Sequence, residues 1–300
     1  MNKIKLKKEF PLHLMILPGF IMILIFHYLP MAGIIIAFEK FIPAKGLFGP
    51  QKWIGLDNFA YVMELPNFYS IIWNTVYIAF MKIILGIIIP IIFSILINEV
   101  NHSSLKRSIQ TVIYLPHFLS WVVLGGVFID ILSPSGGLVN NFIQIFGLKP
   151  IFFLGDNKWF PFTMIFTETW KEFGYGTIIY LAAITGIDPS LYEAAHMDGA
   201  NRWKQILHIT LPGIKTVIVV LMVLSLGNLL NAGFDQIFNM YSPPVYQSGD
   251  IIDTFVYRIG LLDAQFGVAT AVGLFKSVVS FTFISVSYYI AYKFADYKIF

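Results

Sequence analysis

Apolar runs of the length that hydrocarbon demands alternate along this chain with short polar stretches. A bilayer core takes about 20 mostly apolar helical residues to cross. Runs of that order are present near Leu12 to Phe38, Ile71 to Ile97, Gln110 to Leu132, Phe160 to Ile184, Leu211 to Phe234 and Gly267 to Tyr292. The pattern predicts an all-α integral membrane protein with six transmembrane helices, a single membrane domain over residues 1–300. No internal repeat, low-complexity tract or soluble domain interrupts it. The first run follows "MNKIKLKKEF", which raises the possibility of a secretory signal. Its apolar stretch is longer than the usual signal core and lacks a clear small-residue cleavage site, so it reads as an uncleaved first span.

Composition agrees with a bilayer protein. The chain is 57% hydrophobic and 12% charged, with a mean hydropathy of +0.74, outside what a soluble domain with a wetted surface needs. A net charge of +3, with basic residues scattered or terminal, gives no stripe for nucleic acid. Without cysteine there is no disulfide framework, thiolate nucleophile or sulfur-ligated metal.

Lysine and arginine set the orientation, because cytoplasmic flanks carry the excess. With the N-terminus inside, the inner segments hold Lys3, Lys5, Lys7, Lys8, Lys106, Arg107, Arg202, Lys204, Lys293 and Lys298. The outer ones hold Lys40, Lys45, Lys52, Lys149, Lys158 and Arg258 over a greater length. Both termini are expected in the cytoplasm, and an even number of spans places the loop at about residues 186–211 there too.

That loop, containing "YEAAHMDGANRWKQILHITLPGI", is a polar interruption in an otherwise lipid-soluble sequence. Asp188 ahead of Pro189 predicts an N-cap and a first helical position where a missing N–H costs nothing. Ser190 and Glu193 have capping-box spacing, which makes Glu193 a candidate first-turn partner of the helix dipole. Ala194 and Ala195 keep one face flat. Gly199 suits the left-handed conformation that ends a helix. A second helical piece, Asn201 to His208, leads to Leu211 and Pro212, where the fifth span begins.

These residues carry a resemblance. "EAA" at Glu193 to Ala195, three residues, Gly199, nine residues, Ile209, one residue, then Leu211 and Pro212 is similar to the cytoplasmic motif of membrane subunits of binding-protein-dependent ABC importers. "YLPHFLSWVV", "KEFGYGTIIYLAAITGIDPSLYEAAHMDGANRW", "IIDTFVYRIGL" and "ATAVGLFKSVV" resemble the polysaccharide-type, LplB-like branch of the carbohydrate-importing permeases. The resemblance implies the type I importer permease fold in a bacterial cytoplasmic membrane, multi-pass. It implies a cytoplasmic coupling helix after Pro189 that docks on a separate ATPase, with Glu193, Ala194, Ala195, Asp198, Gly199, Ile209, Leu211 and Pro212 as the coupling residues. Implied partners are a second homologous permease in a heterodimer, two ATPase subunits, an extracellular solute-binding protein, membrane lipid and a carbohydrate. No G-x-x-x-x-G-K-[ST] phosphate loop is present. The chain is therefore expected to be no enzyme and to bind no cofactor, with ATP and Mg²⁺ used by the partner ATPase.

Ionisable groups inside spans cost roughly 2.5 to 3.5 kcal/mol each near a helix centre, so they need a reason. Glu168, Lys171 and Glu172 sit at i, i+3 and i+4 of the fourth span, where pairing across the turn is the plain alternative to a role. Asn228, Asn231 and Asp235 are helically spaced on the fifth span, which runs the other way. The two sets are expected to face one another around a polar path, with Trp170, Tyr175 and Tyr180 adding aromatic faces for sugar rings; interhelical hydrogen bonding is the competing reading.

Other features carry less. Lys82 and Lys276 stand alone in mid-span and read as paired or snorkelling residues. The six histidines show no metal-ligand spacing. "WIGLDNF" reads as an outer amphipathic helical turn capped by Asp57, and "SPSGGLVN" as an outer loop; the resemblance has such segments touch the binding protein. The sequon at Asn101 falls in a predicted cytoplasmic loop and is discounted. A stand-alone secondary transporter of a polar solute would be expected to show repeat symmetry around its site, and a membrane enzyme a catalytic constellation. Neither is seen.

Overall fold

The computed structural model describes residues 3–295; Lys298, counted above among the inner cations, lies outside them. Helices follow in chain order: α1 Lys3–Ile23, α2 Asp57–Glu64, α3 Phe68–Asn98, α4 Ser103–Tyr114, α5 Trp121–Leu132, α6 Leu138–Ile145, α7 Phe160–Thr185 and α8 Pro189–Met197. They continue with α9 Arg202–Gln205, α10 Leu211–Gly213, α11 Lys215–Leu226, α12 Phe234–Met240, α13 Tyr246–Gly249, α14 Ile252–Tyr257 and α15 Phe266–Ala295. The fold is helical except for a two-stranded antiparallel ladder, β1 Glu39–Lys40 against β2 Lys52–Trp53, which an all-α reading omits.

Among the described residues, three helical stretches can by length and apolarity cross a membrane, Phe10–Phe38, Phe68–Asn98 and Phe266–Tyr289, and up to five can if each of two bent pairs is one span. The protein is thus a multi-pass helical membrane protein. Helix α7, 26 residues long but carrying Glu168, Lys171 and Glu172, falls outside that standard.

Three predicted spans differ from continuous helices. The first changes character, from α1 through a π segment at Leu24–Tyr28 to a 3₁₀ helix at Leu29–Phe38. Pro30, near the start of the last piece, has no N–H for an α-helical bond. The third bends by 103° between Ser103–Phe118 and α5. Pro116 falls in the 3₁₀ turn Leu115–Phe118, and Ser120 then caps α5 by accepting from the Val123 amide at 3.3 Å. The fifth bends by 57° between Arg202–Gly213 and α11, which ends at Leu226 and not near Phe234. Asp57 is also not the expected cap: Leu56 holds that position, and Asp57 is the first residue of α2, with no side-chain cap.

The chain divides into two compact units. In the unit of residues 1–65 and 256–275, Asn58 Nδ2 donates to the Ala37 carbonyl at 2.8 Å, and Phe38 stacks on Trp53 with centroids 5.7 Å apart. The Gln51 side chain both accepts from and donates to the backbone of Ile42. In the unit of residues 66–255 and 276–300, α3 and α7 pack against one another along their lengths. One core there joins Ile78 and Ala79 of α3, Phe160, Met164 and Ile165 of α7, and Ala232, Ile237 and Val245. A second joins Tyr180, Ile184 and Ile214.

Candidate functional site

Two sites in the larger unit hold the residues singled out above: the loop after α7, and a cavity beside α3 and α7. In the loop, Asp188 caps α8, its Oδ1 accepting from the Ser190 amide at 2.9 Å, with Pro189 at the first helical position. That amide donor, stabilising the charged form, holds the Asp188 carboxyl below the usual carboxylate range. The expected Ser190–Glu193 capping box is not formed. The cap falls two residues before Ser190, so Glu193 lies in the second turn, exposed, where the dipole is weak.

Gly199 ends the helix with φ of +76°, a value L side chains rarely adopt. Its amide donates to the His196 carbonyl at 3.0 Å, and Ala200 donates to Ala195 at 2.9 Å, a paired closure that satisfies carbonyls left by the last turn. Asn201 then caps α9, accepting from the Lys204 amide at 3.0 Å. A π segment, Ile206–Thr210, carries the helical path on to α10, so the second piece runs past His208.

Tyr192 Oη meets Thr210 Oγ1 at 3.0 Å, tying α8 to the returning chain. Between them lies a cleft of about 550 Å³ lined by Tyr192, Glu193, His196, Ala200, Asn201, Arg202 and Gln205. Glu193, Ala194, Asp198 and Gly199 are exposed, as are Met197 and Trp203, while Ala195 and Ile209 are half-buried. Leu211 packs on the Tyr180–Ile184–Ile214 core, and Pro212 is exposed. The loop presents one face outward and anchors the other.

The cavity, about 350 Å³, is lined by Lys82 and Ile83 of α3, Glu168, Thr169, Glu172 and Phe173 of α7, and Ser225, Asn228, Asn231 and Gly233 among others. Glu168, Glu172, Asn228 and Asn231 are therefore brought together. Trp170 lies on another side of α7, against Phe128, where it lines two apolar grooves. Tyr175 stacks on His117 with centroids 3.9 Å apart, and Tyr180 is core. Asp235 is exposed in the first turn of α12, outside the cavity lining. Nor do Asn228, Asn231 and Asp235 share one helix: the first two follow the end of α11 in a turn and an irregular stretch, and Gly233 enters α12 with φ of +92°.

Pairing among the ionised groups also differs from helical spacing. Lys171 Nζ donates to Glu172 Oε1 at 2.7 Å and to the His117 carbonyl at 3.0 Å, and Glu172 Oε2 meets His117 Nδ1 at 2.7 Å. Glu168 pairs instead with Lys82 at 3.6 Å, and Lys276 with Asp253 at 2.5 Å. The two lone lysines are thus both partnered, on segments too distant in sequence to be read from spacing. His117 and Gln236 were missed; a histidine in "YLPHF" and a glutamine in the apolar "FDQIF" were the available signals. No group of three His, Cys, Asp or Glu among the described residues is placed to hold a metal ion.

Comparison with known proteins adds the following. A family model described as binding-protein-dependent transport system inner membrane component matches residues 86–296. The polygalacturonan/rhamnogalacturonan transport system permease protein YteP of Bacillus subtilis (strain 168) is 42% identical over 293 residues, covering 98% of this chain and 91% of that protein. Protein LplB of the same strain is 40% identical over 289 residues, covering 96% and 91%. Among solved structures, a chain from the crystal structure of a bacterial ABC transporter that imports the acidic polysaccharide alginate superposes with a TM-score of 0.89 at 39% identity, covering 97% of this chain and 98% of that one.

Proposed function

This chain belongs to the family of binding-protein-dependent transport system inner membrane components, a non-catalytic permease of an ABC importer, and from that membership we propose that it carries an oligosaccharide or polysaccharide fragment across the cytoplasmic membrane. The observation that carries the proposal is the loop from Asp188 to Pro212. It is a capped helix, a left-handed glycine turn and a second capped helix, with Glu193, Ala194, Asp198 and Gly199 exposed and Leu211 anchored in the core. Such an element moves as a unit when its outer face is gripped.

In this reading residues 1–300 form one membrane domain of six spans, with α7 as the fourth, both termini and the loop cytoplasmic. α8 docks on an ATPase subunit that uses ATP and Mg²⁺; this chain binds neither. Closure of the ATPase dimer moves the lever and tilts the spans between inward- and outward-open states. The complex contains a second, related permease, two ATPases and an external binding protein. Glu168, Glu172, Asn228 and Asn231 line the path, their carboxylates and amides suited to sugar hydroxyls; Tyr175, stacked on the His117 ring that meets Glu172, stands at its margin, whereas Trp170 and Asp235 lie away from it. The carbohydrate cargo is supported by the YteP relative and by solved structures of bacterial alginate importers, one of them in complex with an alginate pentasaccharide-bound periplasmic protein.

Purification tests the assignment. The tagged chain is expected to bring down an ATPase and a second permease, and the reconstituted assembly to take up labelled oligosaccharide only with ATP and loaded binding protein. Uptake by this chain alone would overturn it.

A further inference from the structure

We propose that Lys82 is a positioning residue: its ammonium group holds the break between α11 and α12 and so fixes Asn228 and Asn231 on the cavity wall. A lysine in mid-span invites a simpler account, in which it does no more than neutralise Glu168. The distances argue otherwise. Lys82 Nζ donates to the Ala232 carbonyl at 2.6 Å and to Gln236 Oε1, whereas Glu168 Oε2 stands 3.6 Å away and takes no hydrogen bond among the described residues. The carboxylate is the most distant of the three partners.

What the lysine touches is the break itself. An unbroken helix would direct the Ala232 carbonyl to the amide four residues on; here α12 begins only at Phe234, and an amine from α3 takes that place. Gln236, fully buried, passes the connection on, donating to the Met164 carbonyl at 2.8 Å and to Thr167 Oγ1 at 2.7 Å. One chain of hydrogen bonds therefore joins α3, the break and α7. Gly233 completes it: its φ of +92° disfavours a side chain, and a Cβ there would stand 3.1 Å from Lys82 Nζ. Three donors on a flexible stem suit this geometry; a bare counter-ion would not need it.

The consequence for transport rests on the cavity's being the path, but the geometry is testable without it. The chain has no cysteine, so Asn231→Cys would carry its only thiol. In the complete transporter, labelling of that thiol by a water-soluble maleimide is expected to slow about tenfold in Lys82→Met, as expected for loss of buried hydrogen bonds. Glu168→Gln should leave the rate nearly unchanged, and the double variant should stay as slow as Lys82→Met. In Lys82→Met without the cysteine, uptake should show a raised KM with kcat largely kept. A double variant that labels at the native rate would overturn the proposal and leave Lys82 a counter-ion. Should Lys82→Met fail to accumulate in the membrane, Lys82→Gln, alone and with Glu168→Gln, decides by the same comparison. Failure of the transported sugar to protect the thiol would overturn the path reading alone, since the labelling rate reports the break directly.

Discussion

The carbonyl oxygen of Ile113, in α4, occupies the place where a β-carbon on Gly174, in α7, would stand. Four residues of "KEFG", 171–174, thereby fasten the elbow of α4 and α5 to α7. Lys171 and Glu172 hold the backbone and ring of His117, Gly174 admits the Ile113 carbonyl, and the next residue, Tyr175, stacks on His117.

Gly174→Ala is accordingly expected to lower stability by about 1–3 kcal/mol, because the obstructing atom is backbone and cannot rotate away. Gly126→Ala on α5, where a Cβ meets nothing within 4 Å, is the control and should be neutral or stabilising. Thermal midpoints of the purified complexes make the comparison; equal midpoints would contradict the packing.

Removing Glu172 should expose the dependence of Lys171 on it. Glu172→Ala leaves the buried Lys171 ammonium with the His117 carbonyl and no carboxylate, and is expected to cost about 1–3 kcal/mol. Lys171→Met with Glu172→Ala should cost less than the two single changes added, by about 0.5 kcal/mol or more. Additive losses in a double-mutant cycle of unfolding midpoints would show that the pair is not coupled.

Gly199→Asp and Glu193→Lys are expected to uncouple hydrolysis from uptake while the protein still enters the membrane. The first places a side chain at φ of +76°, straining the turn by about 1 kcal/mol or more. The second changes an exposed second-turn residue with little local cost, so its effect reports on docking. Reconstituted complexes should bind ATPase weakly, or hydrolyse ATP without stimulation by loaded binding protein, and lose sugar uptake. Normal assembly and uptake in both would remove the coupling role.

Acid should loosen α8. The Asp188 carboxyl titrates below its ordinary value because the Ser190 amide stabilises its charged form, so the cap is fully present above the unfolded carboxylate pKa of about 3.9 and is lost as pH falls through the lower folded value. Between roughly pH 5 and 8, Asp188→Asn should keep the cap, while Asp188→Ala should loosen it at every pH. Exchange rates of the amides of residues 189–197 measure this; a native loop whose exchange protection begins to fall near neutral pH would contradict it.

Much of the loop was determined by the sequence alone. Asp188, Pro189, Gly199 and Asn201 act through bonds to residues one to four positions away, and such chemistry needs no tertiary context. The apolar runs likewise fix where helices lie, because hydrocarbon tolerates few alternatives. Tertiary structure decided what spacing could not. The runs from Gln110 to Leu132 and from Leu211 to Phe234 read as continuous spans, yet the folded chain bends by 103° ahead of α5 and by 57° ahead of α11. Helical spacing put Asn228, Asn231 and Asp235 on one face, yet an amine from α3 captures the Ala232 carbonyl, the helix opens, and Asp235 leaves the cavity. Lys82 and Gln236 are 154 positions apart, as Glu172 and His117 are 55. A buried polar group takes whichever partner the fold brings within reach, and in a chain this apolar that partner usually lies on another helix.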